Sequence, residues 1–150
     1  MRKNLFVGIG LMFITTLAQG AVSCSISSEE LTFGVINPLS PGDITSIAAV
    51  NLDCSGGPVS YTIKLSQGTG TLVQRVMKSG FNVLKYNIYT SNSYSRVLGD
   101  GTMGSVAITG SSATDSTEVT HYVYGKISNI GLSNTAAGIY ADTISMVIHY

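Results

Sequence analysis

The chain has 150 residues, 44% of them hydrophobic and 11% charged, with a formal net charge of zero. That is enough for one domain with a real core and not comfortably for two. The balanced charge offers no basic surface to a nucleic acid or an anionic membrane.

Residues 1–20 carry a basic start (Arg2, Lys3), an apolar run over 5–17, and Ala18-Gln19-Gly20. This is the layout of a secretory signal peptide, with small residues where a signal peptidase reads. The run is too short and wrongly flanked for a good transmembrane helix. Cleavage after Gly20 leaves a mature domain of residues 21–150, in which six basic side chains face eight acidic ones, a net charge of −2.

In chain order the mature sequence reads as strands separated by turn chemistry, with no convincing helix. Residues 22–26 form a short strand and 31–36 a second candidate, before Asn37-Pro38 and Pro41-Gly42 break the chain. Residues 44–54 alternate, with Ile44, Ala48, Val50 and Leu52 on one side, and Ser55-Gly56-Gly57-Pro58 turns them. Val59, Tyr61, Ile63 and Leu65 against Ser60, Thr62, Lys64 and Ser66 give the cleanest alternation, one face inward and one in water. Residues 72–77 suggest a short edge strand, and Leu84, Tyr86 and Ile88 continue the pattern against Lys85, Asn87 and Tyr89. Residues 96–98 and 105–109 flank Gly99-Asp100-Gly101-Thr102, an Asp-Gly hairpin signal. Small polar residues over 110–116 read as a surface loop and 119–127 as a long strand. The last stretch, 138–150, places Tyr140, Ile144, Met146, Ile148 and Tyr150 on one parity as a terminal strand. Eight or nine short strands without helical spacers predict an all-β, immunoglobulin-like antiparallel sandwich, with a closed barrel as the alternative.

Cys24 and Cys54 are the only cysteines. In an oxidising compartment such a pair is expected to form one disulfide. Cys24 shares a parity with Val22 and Ile26, and Cys54 with Val50 and Leu52, so the bridge would staple the first two strand segments. A lipoprotein role for Cys24 is the rival, weakened because Ala21-Val22-Ser23 lacks the expected leucine and because Cys54 would be orphaned.

The chemistry is thin. His121 and His149 both fall inside predicted strands and no metal set is apparent. Glu29 and Glu30 are adjacent, so on a strand they point apart instead of converging as an acid and base. Asp100 is explained by its turn, 68–70 lacks a phosphate-loop lysine, and no Gly-x-Ser-x-Gly elbow occurs. No catalytic residue, metal site or cofactor is expected, and the chain does not read as an enzyme.

Spaced motifs then accumulate: Cys24-Ser25-Ile26-Ser27, Phe33-Gly34-x-x-Asn37-Pro38, Val50-x-Leu52-x-Cys54, Tyr61-x-Ile63-x-Leu65-Ser66-x-Gly68, Arg75-x-Met77, Leu84-x-Tyr86-Asn87-x-Tyr89-Thr90, Gly99-Asp100-Gly101-Thr102, Tyr124-Gly125-Lys126-Ile127 and Gly138-x-Tyr140-x-Asp142-Thr143-Ile144. In order and spacing, over the whole mature chain, they resemble the spore coat protein U domain family. Its members include secreted coat proteins and subunits of archaic chaperone-usher pili. The resemblance implies an incomplete sandwich lacking its last strand, held by a periplasmic chaperone, passed to an outer-membrane usher, and completed in the fibre by another pilus subunit's amino-terminal extension. The physics is β-augmentation: an added strand satisfies an unpaired edge and an apolar groove. It makes Tyr140, Ile144, Met146 and Ile148 the expected groove and core-strand residues, and Tyr150 the expected chaperone anchor.

One departure shapes the expected role. A shaft subunit needs a donor segment of about ten residues or more ahead of its first core strand, at about 3.3 Å each. Only Ala21, Val22 and Ser23 precede Cys24 after the expected cleavage. The expectation is a protein secreted through the periplasm to the cell surface, as a tip or minor pilus subunit. The alternative is a secreted coat or adhesin-type protein that does not polymerise.

Overall fold

The computed structural model describes residues 21–39, 41–112, 117–130 and 132–150. The predicted signal peptide lies outside them. Eight strands are described: β1 (Ser23–Ser28), β2 (Ile44–Ser55), β3 (Val59–Leu65), β4 (Arg75–Ser79), β5 (Asn82–Tyr89), β6 (Ile108–Ser112), β7 (Thr117–Ile127) and β8 (Met146–His149), with one 3-10 turn at Leu132–Asn134. They make two sheets, a five-stranded one ordered β1-β2-β7-β5-β4 and a three-stranded one ordered β6-β3-β8. Every ladder between these strands is antiparallel. The sheets face each other as an immunoglobulin-like sandwich instead of closing into a barrel.

Period-2 alternation drives the core. In β2, Ala48, Val50, Leu52 and Cys54 are buried, and in β3, Tyr61, Ile63 and Leu65 are buried opposite them. Leu84, Tyr86 and Ile88 of β5, with Val123 and Ile127 of β7, complete the inner face of the larger sheet. Each such side chain contributes roughly 1.5–3 kcal/mol when removed from water. The β1–β2 register sets Cys24 opposite Cys54, and the two are disulfide-bonded with their Cα atoms 4.1 Å apart. The bridge ties the amino-terminal edge strand, which among the described residues pairs with β2 alone, to the core.

Several sequence expectations are corrected. Residues 31–36 join no ladder: Gly34 takes a φ of 66°, and the Gly34 amide donates to Thr32 Oγ1, bending the chain out of register. The expected strand at 72–77 starts only at Arg75, because Thr71 and Gln74 exchange backbone hydrogen bonds in a turn. Gly99-Asp100-Gly101-Thr102 does turn the chain, with the Thr102 amide and hydroxyl donating to Asp100 Oδ1. It does not make a hairpin. Left-handed backbone at Gly101, Met103 and Gly104 coils the loop so that Val106 bridges Leu98 in parallel. Residues 110–112 belong to β6 and not to a loop, and 113–116 lie outside the described residues. β6 pairs beside β3 with Gly110 opposite Tyr61, and the Tyr61 ring lies across the glycine, where a Cβ would sit 2.6 Å from Tyr61 Cζ.

Replacing Cys54 with Ser releases a 30-residue separation and should cost about 2–5 kcal/mol. Thermal unfolding of wild type and Cys54→Ser, with and without reductant, checks this, and identical midpoints under all four conditions would contradict it.

Candidate functional site

Three strands cannot cover five. Between the sheets lies a groove of about 910 Å³, floored by Ala48, Val50, Leu84, Ile88 and Val123. Its two walls are irregular chain. One is the segment 28–38 after β1, and the other is 135–144 leading into Met146 of β8. β8 pairs with β3 from Leu65↔Met146 to Thr62↔His149, and among the described residues no strand pairs with its other edge. An unpaired row of N–H and C=O groups therefore borders an apolar cleft, the arrangement that accepts an added strand.

The first wall is built by local chemistry. Glu29 prolongs the β1–β2 ladder, its amide donating to the Ala49 carbonyl at 3.0 Å and its Oε2 accepting from the Ala49 amide at 3.3 Å. The Ser46 hydroxyl donates to the Thr32 carbonyl and anchors the segment to β2. Leu31 and Phe33 are then half-buried against the core. They fit because Gly125 presents no side chain on β7, where a Cβ would lie 2.8 Å from both Leu31 Cδ2 and Phe33 Cζ. Phe33 meets the Tyr86 ring edge-on, with centroids 6.1 Å apart.

The second wall hangs on Asp142. Its Oδ1 accepts from the Thr69 amide (3.0 Å), the Thr69 hydroxyl (2.8 Å) and the Thr143 amide (2.9 Å), and its Oδ2 from the Tyr86 hydroxyl (2.8 Å). Three donors crowd Oδ1 and one meets Oδ2, so both carboxylate oxygens are engaged. Burial pushes the Tyr86 hydroxyl far above its usual range, and the Asp142 carboxylate adds to the shift. Gly68 (φ 65°) makes the approach possible, since a Cβ there would meet Ile144 Cδ1 at 2.7 Å. Ala141 exchanges two backbone hydrogen bonds with Lys78 of β4, 2.9 and 3.1 Å long, which fastens this wall to the larger sheet.

Behind the groove, Arg75 is fully buried. Its guanidinium donates to the Ser66 carbonyl through Nη2 (2.8 Å) and Nε (3.3 Å), to the Leu98 carbonyl (2.9 Å) and to Asn87 Oδ1 (2.7 Å). Asn87 in turn donates to the Leu72 and Val73 carbonyls. Burial lowers the Arg75 pKa, while Tyr86, Asp142 and Asp100 pull it back up. The network joins the end of β3, the 97–99 strip, β4 and β5, and so holds the sheets in fixed relation at the groove's back.

Of the expected site residues, Tyr140, Ile144 and Met146 line the groove. Ile148 packs on the core further along β8 and does not line it. Tyr150 is 56% exposed beyond the strand. Strand structure covers only Met146–His149, so Tyr140 and Ile144 are not on a strand as expected. Backbone pairing there is limited to the Ala141–Lys78 bridge and the Ser66 amide donating to the Ser145 carbonyl, while Asp142 and the Ser145 amide bonding to Ser66 Oγ hold the rest out of a continuous ladder. Alternation also misplaced Asn87, which is buried because 71–75 and 97–99 cross its face. The first wall was read in sequence as a candidate strand over 31–36 and as the Phe33-Gly34 motif, not as a groove wall. His121 is tucked between the sheets, sharing a 2.8 Å hydrogen bond between Nε2 and the Tyr61 hydroxyl. His149 is exposed, and among the described residues no group of His, Cys, Asp and Glu could hold a metal.

The fold and groove define a class: an all-β antiparallel sandwich with an open apolar cleft between its sheets. The Spore Coat Protein U domain model matches residues 10–147, and the chain belongs to that family. No curated protein matches the sequence. Among solved structures it is similar to a chain of the CsuC–CsuE chaperone–tip adhesion subunit pre-assembly complex from the archaic chaperone-usher Csu pili of Acinetobacter baumannii. The TM-score is 0.59 at 23% identity, over 87% of this chain and 40% of that one, so the likeness is one of fold and this chain spans well under half of that length.

Removing the Arg75 fork would take the guanidinium from two buried acceptors, the Leu98 carbonyl and Asn87 Oδ1, and from the partly buried Ser66 carbonyl. Arg75→Met should lower stability by about 3–5 kcal/mol, and Arg75→Lys should also destabilise because an ammonium cannot reproduce the planar fork. Denaturant unfolding reads both, and a loss within ordinary surface-mutant range would contradict the network's role. Burial holds the His121 imidazole below its usual range. The unfolded chain therefore binds the proton first: stability is intact above pH 6.5, the unfolded value, and falls as pH drops from there toward the folded value. Relative to His121→Gln, wild type should lose ground only below pH 6.5, as read by unfolding midpoints across pH 5–8; a constant difference would count against it.

Proposed function

We propose that the protein is a secreted structural subunit of a surface pilus built by a chaperone-usher pathway, its groove filled by a strand from another subunit. The observation that carries this reading is the 910 Å³ apolar groove bordered by the unpaired edge of β8. Strand addition would supply main-chain hydrogen bonds along that edge and apolar side chains for the floor. The mature domain is residues 21–150, exported through the periplasm. Its partners are a periplasmic chaperone that covers the groove during transit, an outer-membrane usher and other pilus subunits, with Tyr150 as chaperone anchor. Tyr140, Ile144, Met146 and, deeper in the core, Ile148 are the carboxyl-terminal groove and core-strand residues. The groove lining includes the carboxylates Glu29, Glu30 and Asp142 and no Lys or Arg, which favours occupants that are apolar or cationic over anionic ones. No catalysis or cofactor is assigned.

Within this reading the subunit takes a tip or minor position, and the solved complex it resembles in fold contains a tip adhesion subunit. An adhesin-type protein that does not polymerise is the second reading, favoured by five large apolar side chains that stand almost fully exposed: Val35, Leu39, Phe81, Ile130 and Ile139.

Expression in the periplasm with and without the chaperone of the source cell tests the main reading. The chaperone should co-purify with the mature chain and raise its soluble yield, and Met146→Asp, which sets a charge on the groove wall, should reduce both. Equal yields with and without chaperone, and no complex, would refute it.

A further inference from the structure

Those five exposed apolar residues share one end of the sandwich. β2 begins where β7 finishes, with Ile44 opposite Ile127, so Leu39 just before β2 and Ile130 just after β7 lie at that end. β5 pairs with β7 through Asn87↔Lys126, so the preceding residues run beyond the end of β7 and carry Phe81, at the tip of the β4–β5 hairpin, to the same place. Ile139 joins them through the Lys78–Ala141 bridge and the contact of Gly138 with Ser79, whose Cβ would be 3.1 Å from a Cβ built at 138. Val35 follows Phe33, which rests on Gly125 near the end of β7. The five are 83% to 106% exposed. The opposite end carries the Cys24–Cys54 bridge.

Strand direction assigns this end an occupant. β3 starts beside the end of β2 at the disulfide end and runs toward the apolar end, so antiparallel β8 runs from the apolar end back to the disulfide end. A strand added to the free edge of β8 in the antiparallel sense, the more stable and more common pairing, would enter at the disulfide end and leave at the apolar end. When that strand is another subunit's amino-terminal extension, the donor's folded domain follows it out at the apolar end. Val35 and Ile139 belong both to the groove lining and to the exposed set, so the groove opens onto this end. Exposed apolar surface gathered at one end in this way marks an interaction site.

We propose that the apolar end, Phe81 included, is the docking face for the folded domain of the subunit whose strand fills the groove. This rests on the strand-acceptance reading above. The interaction would orient consecutive subunits, which a strand joined by a flexible connection alone would not do.

The test places a photo-crosslinking phenylalanine analogue at Phe81, at Thr143 and at Ile47, one at a time, in the full chain produced by its source cell. Thr143 is exposed and lines the groove; Ile47 is exposed on the outer face of the larger sheet, away from both. Assembled surface material is isolated, irradiated and mapped by mass spectrometry, with secreted yield confirming that each variant folds. The expected result is a Thr143 adduct to a neighbouring subunit's strand, a Phe81 adduct to the folded domain of that same subunit, and no comparable adduct at Ile47. A Thr143 adduct without one at Phe81 would overturn the proposal and leave the end face to an adhesive role. No Thr143 adduct would overturn strand acceptance and the proposal with it.

Discussion

The structure turns on one mismatch, a five-stranded sheet opposed by a three-stranded one whose last strand has a free edge. Backbone polar groups need partners and apolar floors need covering. A sandwich that leaves both unmet at the same place is stable only to the extent that the rest of the chain holds it there. Chain segments 28–38 and 135–144 line the groove without laying a ladder strand into it. The domain is therefore folded and yet keeps an apolar groove open beside the β8 edge.

What keeps the groove open is polar and fully satisfied. The Asp142 carboxylate, with its four donors, gathers the 67–70 loop, Tyr86 and its own following residue, while Arg75 and Asn87 lock β4 and β5 to the chain at Ser66 and Leu98. No buried side-chain nitrogen or oxygen among the described residues lacks a partner. Such networks fix geometry because any partial rearrangement leaves a costly unpaired group. The Cys24–Cys54 bridge does the same at the other end, where the first strand has a ladder on one side only.

Much of this was legible in the sequence where side chains obey a two-residue period. The inward faces of β2 and β3, the parity that pairs Cys24 with Cys54, and the alternation of Ile144, Met146 and Ile148 all follow from it. It fails where a distant segment covers a face. Asn87 reads as a solvent-side residue because nothing local signals that 71–75 and 97–99 will cross it, and nothing local signals that Arg75 will be buried. It also fails where side chains replace ladders. The stretch from Tyr140 to Ser145 has strand-like composition, but Asp142 and Ser66 divert its backbone bonding. Glycines marked these places without explaining them: Gly68, Gly110 and Gly125 stand in family motifs or a small-residue run, and only the fold shows the side chain each admits.

The central claim is that the β8 edge and the groove beside it are open in the free domain and filled by a strand on assembly. Amide hydrogen exchange across Met146 to His149 and residues 31–36 measures this directly, comparing the isolated mature chain with the same chain in assembled surface fibres. The account predicts that β8 amides facing away from β3 exchange quickly in the isolated chain and become strongly protected in the fibre. Slow exchange of those amides in the isolated chain, or no gain in protection on assembly, would contradict it.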